Sequence, residues 1–291
     1  MLEYLNSDTL FNTIAMLRPE RESVILVTEG CDDSYAINRH VDDSVTVLSG
    51  LGGKNDLVEA SLRIDHESIR LTYFLVDSDY DRFTNTKPNY GRQVISSDGH
   101  DFVMDLVLVD RSVIFRVIES HARGRMSVIA SLKDTSELVT NSIELASFVG
   151  LLRLISADHG LQLNLRDFPF GRLKSLPASA SEIVELALDR SRPIEWAADR
   201  LTELLENATR EYRSNTLELV GDHDFFSAVA RVMKDADYGK VSASVLASSF
   251  LAATHCSSLA RTHWFRELAR RSESDSGSSC FTCPCEEGVV A

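Results

Sequence analysis

A chain of 291 residues with 44% hydrophobic composition can bury one large core or two small ones, so folding needs no disulfide or metal staple. Five cysteines, three of them crowded at positions 280, 283 and 285, do not read as a secreted disulfide framework, and a reducing, cytoplasmic setting is expected. The formal charge of -14 argues against a protein that coats nucleic acid non-specifically, and no stretch approaches the roughly 20 uninterrupted apolar residues of a membrane helix.

Residues 1–22 read as an N-terminal helical segment, without the basic region or cleavage site of a secretory signal. Residues 24–28, VILVT, form an unbroken apolar and β-branched run, the pattern of a strand buried on both faces. Asp32 or Asp33 is placed to cap a helix reaching about His40, and residues 44–48 form a second strand. The glycine turn at Gly50, Gly52 and Gly53 opens a helix from Lys54 to about Ile64, and residues 71–76 form a third strand ending at Asp77. Residues 92–95 give a short fourth strand, and Asp98 begins another helix. Strands alternating with helices imply parallel pairing through helical crossovers, so the expected class is α/β, a mostly parallel sheet flanked by helices over residues 23–110. A mainly helical domain is expected over 111–271, with helices at 141–157, 180–188, 193–212, 222–233, 241–253 and 258–271; Pro193 suits a first helical turn. From residue 272 the composition turns to Ser, Gly and acid, and the tail to 291 is expected to be disordered. Gly99-His100-Asp101-Phe102 is echoed by Asp222-His223-Asp224-Phe225, and both are expected to open helices.

The strongest chemical signal is Asp77, Asp79 and Asp81, three acids at alternate positions directly after an apolar strand. In a parallel sheet such acids emerge at the carboxyl edge, where functional groups collect, and oxygen donors suit a hard divalent cation. Glu29 follows the first strand to the same edge, and clustered carboxylates are costly without a cation. Familiar motifs fail here. An EF-hand from Asp77 would need Gly where Arg82 stands and Glu where Pro88 stands; a P-loop fails at Leu48 and Asn55; a dinucleotide fingerprint from Gly50 also fails at Asn55. Lys54, on its glycine turn, could face a phosphate or simply start a solvated helix. His100 could approach the site or orient the following helix. Two basic stretches, residues 121–125 and 261–271, could grip phosphates or form solvated helix faces. Cys280, Cys283 and Cys285 lack a fourth ligand, and no zinc site is assigned to them.

Taken in order, Val27-Thr28-Glu29-Gly30, the Gly52-Gly53-Lys54 turn, Leu75-Val76-Asp77-Ser78-Asp79-Tyr80-Asp81 and Ser97-Asp98-Gly99-His100-Asp101-Phe102 resemble the Toprim proteins related to bacterial OLD-type nucleases, and among these the nuclease effectors of PARIS anti-phage defence. The segment from Gly221 to Phe225 and the aromatic-basic stretch around Trp264 are similar to that subfamily's C-terminal part. The resemblance implies a Toprim-like sheet. It further implies magnesium, or manganese in its place, bound by Glu29, Asp77 and Asp79, with Asp81 and Asp33 as secondary ligands or, respectively, a solvated loop acid and a helix cap. It implies metal-dependent hydrolysis of a phosphodiester in nucleic acid, with RNA, namely transfer RNA, favoured. Glu29 would serve as ligand or general base and Lys54 would stabilise the phosphate. An ABC-type ATPase partner and a homodimer are implied on the same ground. Val103 departs from the pattern, standing where relatives often carry an acid expected of a second metal site. Two other readings stay open: a non-catalytic Toprim-like module that docks an ATPase, and a DNA nuclease of the OLD type. A haloacid-dehalogenase-like phosphatase fits less well, because Asp81 stands where it wants Thr or Val and the acids follow the third strand rather than the first.

Overall fold

The structure, a computed structural model, describes residues 6–18, 23–41, 43–50, 52–84, 89–122, 132–191 and 196–277. Leu51, Pro88, Arg123, Arg125, Pro193 and the cysteines at 280, 283 and 285 lie outside the described residues, as does the tail beyond Gly277. The chain divides into two compact units, one formed by residues 1–81, 86–110 and 254–291 and the other by 82–85 and 111–253.

The first unit holds four strands, β1 (Val24–Thr28), β2 (Val45–Ser49), β3 (Thr72–Val76) and β4 (Val94–Ser96), all parallel in the order β2-β1-β3-β4. Helix α1 (Ser7–Leu17) precedes β1, α2 (Cys31–Asn38) and α3 (Lys54–His66) run between successive strands, and α4 (Phe102–Val109) follows β4. Every residue of β1 and β3 is buried, because both faces of these central strands are covered. On one face Ile25, Val27, Phe74 and Val76 meet Ile14 of α1 and Leu57, Ala60 and Ile64 of α3. Arg18, just past α1, donates to the carbonyls of Ser23 and Leu71 and to Thr72 Oγ1, tying together the starts of β1 and β3. All four strands therefore end at one edge, where Glu29, Gly50, Asp77 and Ser97 begin their loops.

The second unit contains α5 (Arg111–His121), α6 (Leu132–Asp158), α7 (Ala180–Arg190), α8 (Ala198–Glu211), α9 (Asp222–Asp235) and α10 (Ala243–Ala253). Its central helix is α6, against which α5, α7, α8 and α9 pack. By length and composition residues 134–158 could cross a membrane, but 72% of their apolar window is buried inside the protein. Asp224 of α9 is nearly fully buried and is held by Arg153 of α6, whose guanidinium also donates to the Leu165 carbonyl at 2.9 Å. The chain then rejoins the first unit as α11 (Cys256–Leu259) and α12 (His263–Ser276). On the sheet face opposite α1 and α3, the Tyr73 hydroxyl donates to Asp275 of α12 at 2.6 Å.

The parallel α/β sheet with an added helical part is consistent with a Toprim-like fold. Several boundaries differ from the sequence expectation for local reasons. β4 starts at Val94 because the Val94 N–H closes a turn onto the Gly91 carbonyl. α4 starts at Phe102 because Asp101 caps it, accepting from Met104 N at 2.6 Å, whereas Asp98 caps α12 instead. Helix α5 stands outside the helices expected from periodicity, although Val113, Ile114, Val117 and Ile118 carry its buried stripe. The expected helix at 258–271 divides at Thr262, which caps α12, and α12 continues to Ser276 before Gly277 ends it at a φ of 78°.

Gly53, the N-cap of α3, sits at a φ of 79° and a ψ of -176°, a positive-φ extended conformation that side chains strongly disfavour, although a Cβ there would meet nothing within 4 Å. Gly53→Ala should therefore destabilise the protein by about 1–2 kcal/mol through backbone strain alone, read as a lower urea midpoint at unchanged slope.

Candidate functional site

Glu29 leaves the end of β1 and Asp77 the end of β3, and these strands are direct neighbours in register, with Thr28 opposite Leu75. Their first loop residues consequently meet. Glu29 Oε1 accepts from the Asp77 backbone N–H at 2.8 Å, and Asp77 Oδ1 accepts from the N–H of Phe102, the first residue of α4, at 3.2 Å. The helix start offers Asp77 both a donor and the positive end of a dipole.

The loop after Asp77 is tied to the neighbouring turn at several points. Ser78 N–H donates to Ser97 Oγ at 2.8 Å, Ser78 Oγ donates to the Ser97 carbonyl at 2.7 Å, and Asp79 N–H donates to the His100 carbonyl at 2.8 Å. These contacts hold Asp79 at a φ of 45°, a left-handed conformation that aspartate tolerates better than most residues. Lys54, the first residue of α3, reaches this loop: its Nζ lies 3.1 Å from Asp79 Oδ2, 2.8 Å from Asp81 Oδ2 and 3.4 Å from the Ser78 carbonyl. Tyr90 donates its hydroxyl to the same Asp81 oxygen.

The electrostatics follow from this crowding. Burial pushes the Glu29 carboxyl up from its ordinary 4.5 to about 7, against the opposing pull of the Asp77 N–H, and the charge of Asp79 adds to the rise. Burial also raises Asp77 well above the usual carboxylate range, helped by the charges of Asp101, Asp33, Glu29 and Asp79. Burial works against the charge of Lys54, but its bonds to Asp81 and Asp79 outweigh that cost and hold the ammonium above its ordinary value. Tyr90 is pushed up to about 12 by burial and by its bond to Asp81.

The residues singled out in the sequence thus fall into distinct places. Glu29 and Asp77 are joined side chain to backbone, and Asp79 and Asp81 are joined through Lys54. Asp33 Oδ2 accepts from Gly30 N–H at 3.2 Å at the start of α2, the geometry of a helix cap. His100 is buried, packs edge-on against Tyr80 with ring centroids 4.8 Å apart, and serves the acid loop through its carbonyl. In the basic stretch at 261–271, Arg270 and Arg271 both bind Glu267, and Arg271 also donates to the Arg92 carbonyl at 2.7 Å. Two participants carried little sequence signal: Tyr90, which stands outside any motif, and Asp101, whose charge bears on Asp77 although its position announced only a helix start.

Among the described residues, no group of three His, Cys, Asp or Glu side chains stands in an arrangement that could hold a metal ion. The donor chemistry nevertheless suits a hard divalent cation, since Glu29, Asp77 and Asp79 offer only carboxylate oxygens and the first two are held toward protonation by burial, with the charge of neighbouring acids adding to it. Asp79 would have to exchange the Lys54 ammonium for the metal, and its side chain, 46% exposed, is the most open of the ion-paired group. No protein-family model matches this chain, and no curated protein matches it in sequence.

The raised Glu29 value has a definite sign for stability. Below about pH 4.5 the carboxyl is protonated in both folded and unfolded chains and its contribution is fully present; as pH rises toward 7 the unfolded chain ionises first and that contribution is lost. Thermal midpoints of the wild type should fall across this window, and Glu29→Gln should flatten that fall, as followed by circular dichroism in metal-free buffer.

Proposed function

We propose that the chain is a metal-dependent phosphodiester hydrolase acting on nucleic acid, with RNA as the favoured substrate. The observation that carries this reading is the meeting of Glu29 and Asp77 at the ends of adjacent parallel strands, beside the Asp79–Lys54 pair. Glu29, Asp77 and Asp79 would hold magnesium or manganese, which when bound polarises a phosphate and offsets its charge. Glu29, whose carboxylate lies beside the Asp77 backbone, would either complete the metal's shell through a water or take the proton from the attacking water. As water oxygen bonds to phosphorus, the P–O ester bond breaks and the leaving oxygen takes a proton from solvent. Lys54 is placed to put a positive charge beside the anionic phosphate once Asp79 turns to the metal. Asp81, bonded to both Lys54 and Tyr90, orients that lysine rather than serving as a ligand.

The charge is unevenly divided. The sheet-bearing unit holds 12 Lys+Arg against 25 Asp+Glu, whereas the helical unit holds 18 against 19. A polyanion would meet strong repulsion at the carboxyl edge without a cation, which supports metal dependence rather than direct electrostatic capture. Choice of transfer RNA, control by an ABC-type ATPase, a role in anti-phage defence and homodimerisation are proposed from the motif resemblance alone. A second reading, a non-catalytic module that docks such an ATPase, draws support from the pairing of Asp79 and Asp81 with Lys54, which already neutralises two of the acids.

Purified protein incubated with magnesium and a panel of transfer RNA, other RNA, single-stranded DNA and duplex DNA should cleave RNA. Glu29→Gln should lower the rate by about 100-fold or more, the scale of a lost general base, with the circular dichroism spectrum unchanged. Chelator should abolish cleavage. Absence of cutting anywhere in the panel, or full activity in Glu29→Gln, would favour the docking module.

A further inference from the structure

We infer that Trp264 is a positioning residue for the Asp77 carboxylate, acting through Phe102; its importance for catalysis rests on the function proposed above, while the positioning itself does not. The connection starts at the Phe102 N–H, which donates to Asp77 Oδ1. The Phe102 ring, 2% exposed, meets the Trp264 indole edge to face, with centroids 4.8 Å apart and planes at 76°. Trp264 is 1% exposed and heads the fully buried large side chains.

Hydrogen bonds fix the same arrangement from below. Asp98 accepts from the backbone N–H groups of His263 and Trp264, at 2.6 and 3.0 Å, and so caps α12 from the turn that precedes α4. That turn is in turn bound to α4, because the buried Asp105 carboxylate accepts from Asp98 N–H and Gly99 N–H at 2.7 Å each. The turn also holds the acid loop, through the Ser97 contacts to Ser78 and the His100 carbonyl to Asp79. The indole thus packs against the side chain of the residue whose N–H donates to Asp77 Oδ1, and displacement of Phe102 would move that donor. The indole Nε1 is buried without a hydrogen-bond partner among the described residues, so the ring is held by packing. An unsatisfied buried donor is costly, and phenylalanine at this position would remove that cost while keeping an aromatic face.

The test uses the full chain and two readouts. Amide exchange followed by NMR should show the Phe102 amide exchanging about 10-fold faster in Trp264→Leu than in the wild type, with the Val27 and Phe74 amides of the central strands unchanged. Trp264→Phe should restore the wild-type rate. Titration with magnesium alone should give a half-saturation about 10-fold higher in Trp264→Leu and wild-type-like in Trp264→Phe, the scale of a lost supporting contact behind a ligand. Should Trp264→Leu not fold, Asp98→Ala, at a partly exposed site, removes the acceptor of the α12 amides and is expected to loosen the Phe102 amide in the same local way. Unchanged Phe102 exchange in the folded variants would overturn the inference, as would simultaneous loss of the central-strand amides in both Trp264→Leu and Asp98→Ala, which would mark a role in holding the whole unit. Unaltered magnesium binding in Trp264→Leu would also count against it. A wild type that binds no magnesium would sink the proposed function, while the exchange comparison would still decide the positioning.

Discussion

Carboxylates forced together at a half-buried sheet edge must be given partners, and most of the local structure can be understood as supplying them. Asp77 takes the N–H of a helix start, Glu29 takes the N–H of Asp77, and Asp79 with Asp81 takes the ammonium of Lys54. Backbone donors and one lysine do not fully offset the burial and the neighbouring charges, since Glu29 and Asp77 are both held above their ordinary values. The residual strain is what a divalent cation would remove.

The fold converts that need into geometry by means of parallel strands. Because β1 and β3 run the same way and lie side by side, the residues that follow them emerge together although 47 positions separate Thr28 from Leu75. The turn between β4 and α4 then acts as a junction. Ser97 and His100 hold the acid loop, Asp98 caps α12, and Phe102 reaches Asp77, so one short segment connects the site to a helix from the far end of the chain. The C-terminal helices therefore belong physically with the sheet, where burial of Trp264 and the Tyr73–Asp275 bond tie them down.

Much of this was legible in the residues because the signals were strong and local. Short apolar and β-branched runs marked the three longer strands, and an acid directly after two of them marked the edge that matters. The partners of those acids were less visible. Nothing near Tyr90 in the sequence announces a bond to Asp81, and Lys54 could be read as facing a phosphate when in the fold it faces two aspartates. Asp98 and Asp101 illustrate the same limit: both are acids near a helix start, and Asp101 caps the adjacent α4, whereas Asp98 caps α12 through packing between segments more than 150 residues apart. Local periodicity contains no information about such pairings.

Manganese soaked into crystals of the protein and located by its anomalous scattering would test the central claim most directly. The account predicts a single peak bound by the Asp77 carboxylate together with Glu29 or Asp79, and the Lys54 ammonium released from Asp79. A map at saturating manganese with no peak at this edge, and Lys54 still bridging Asp79 and Asp81, would contradict it.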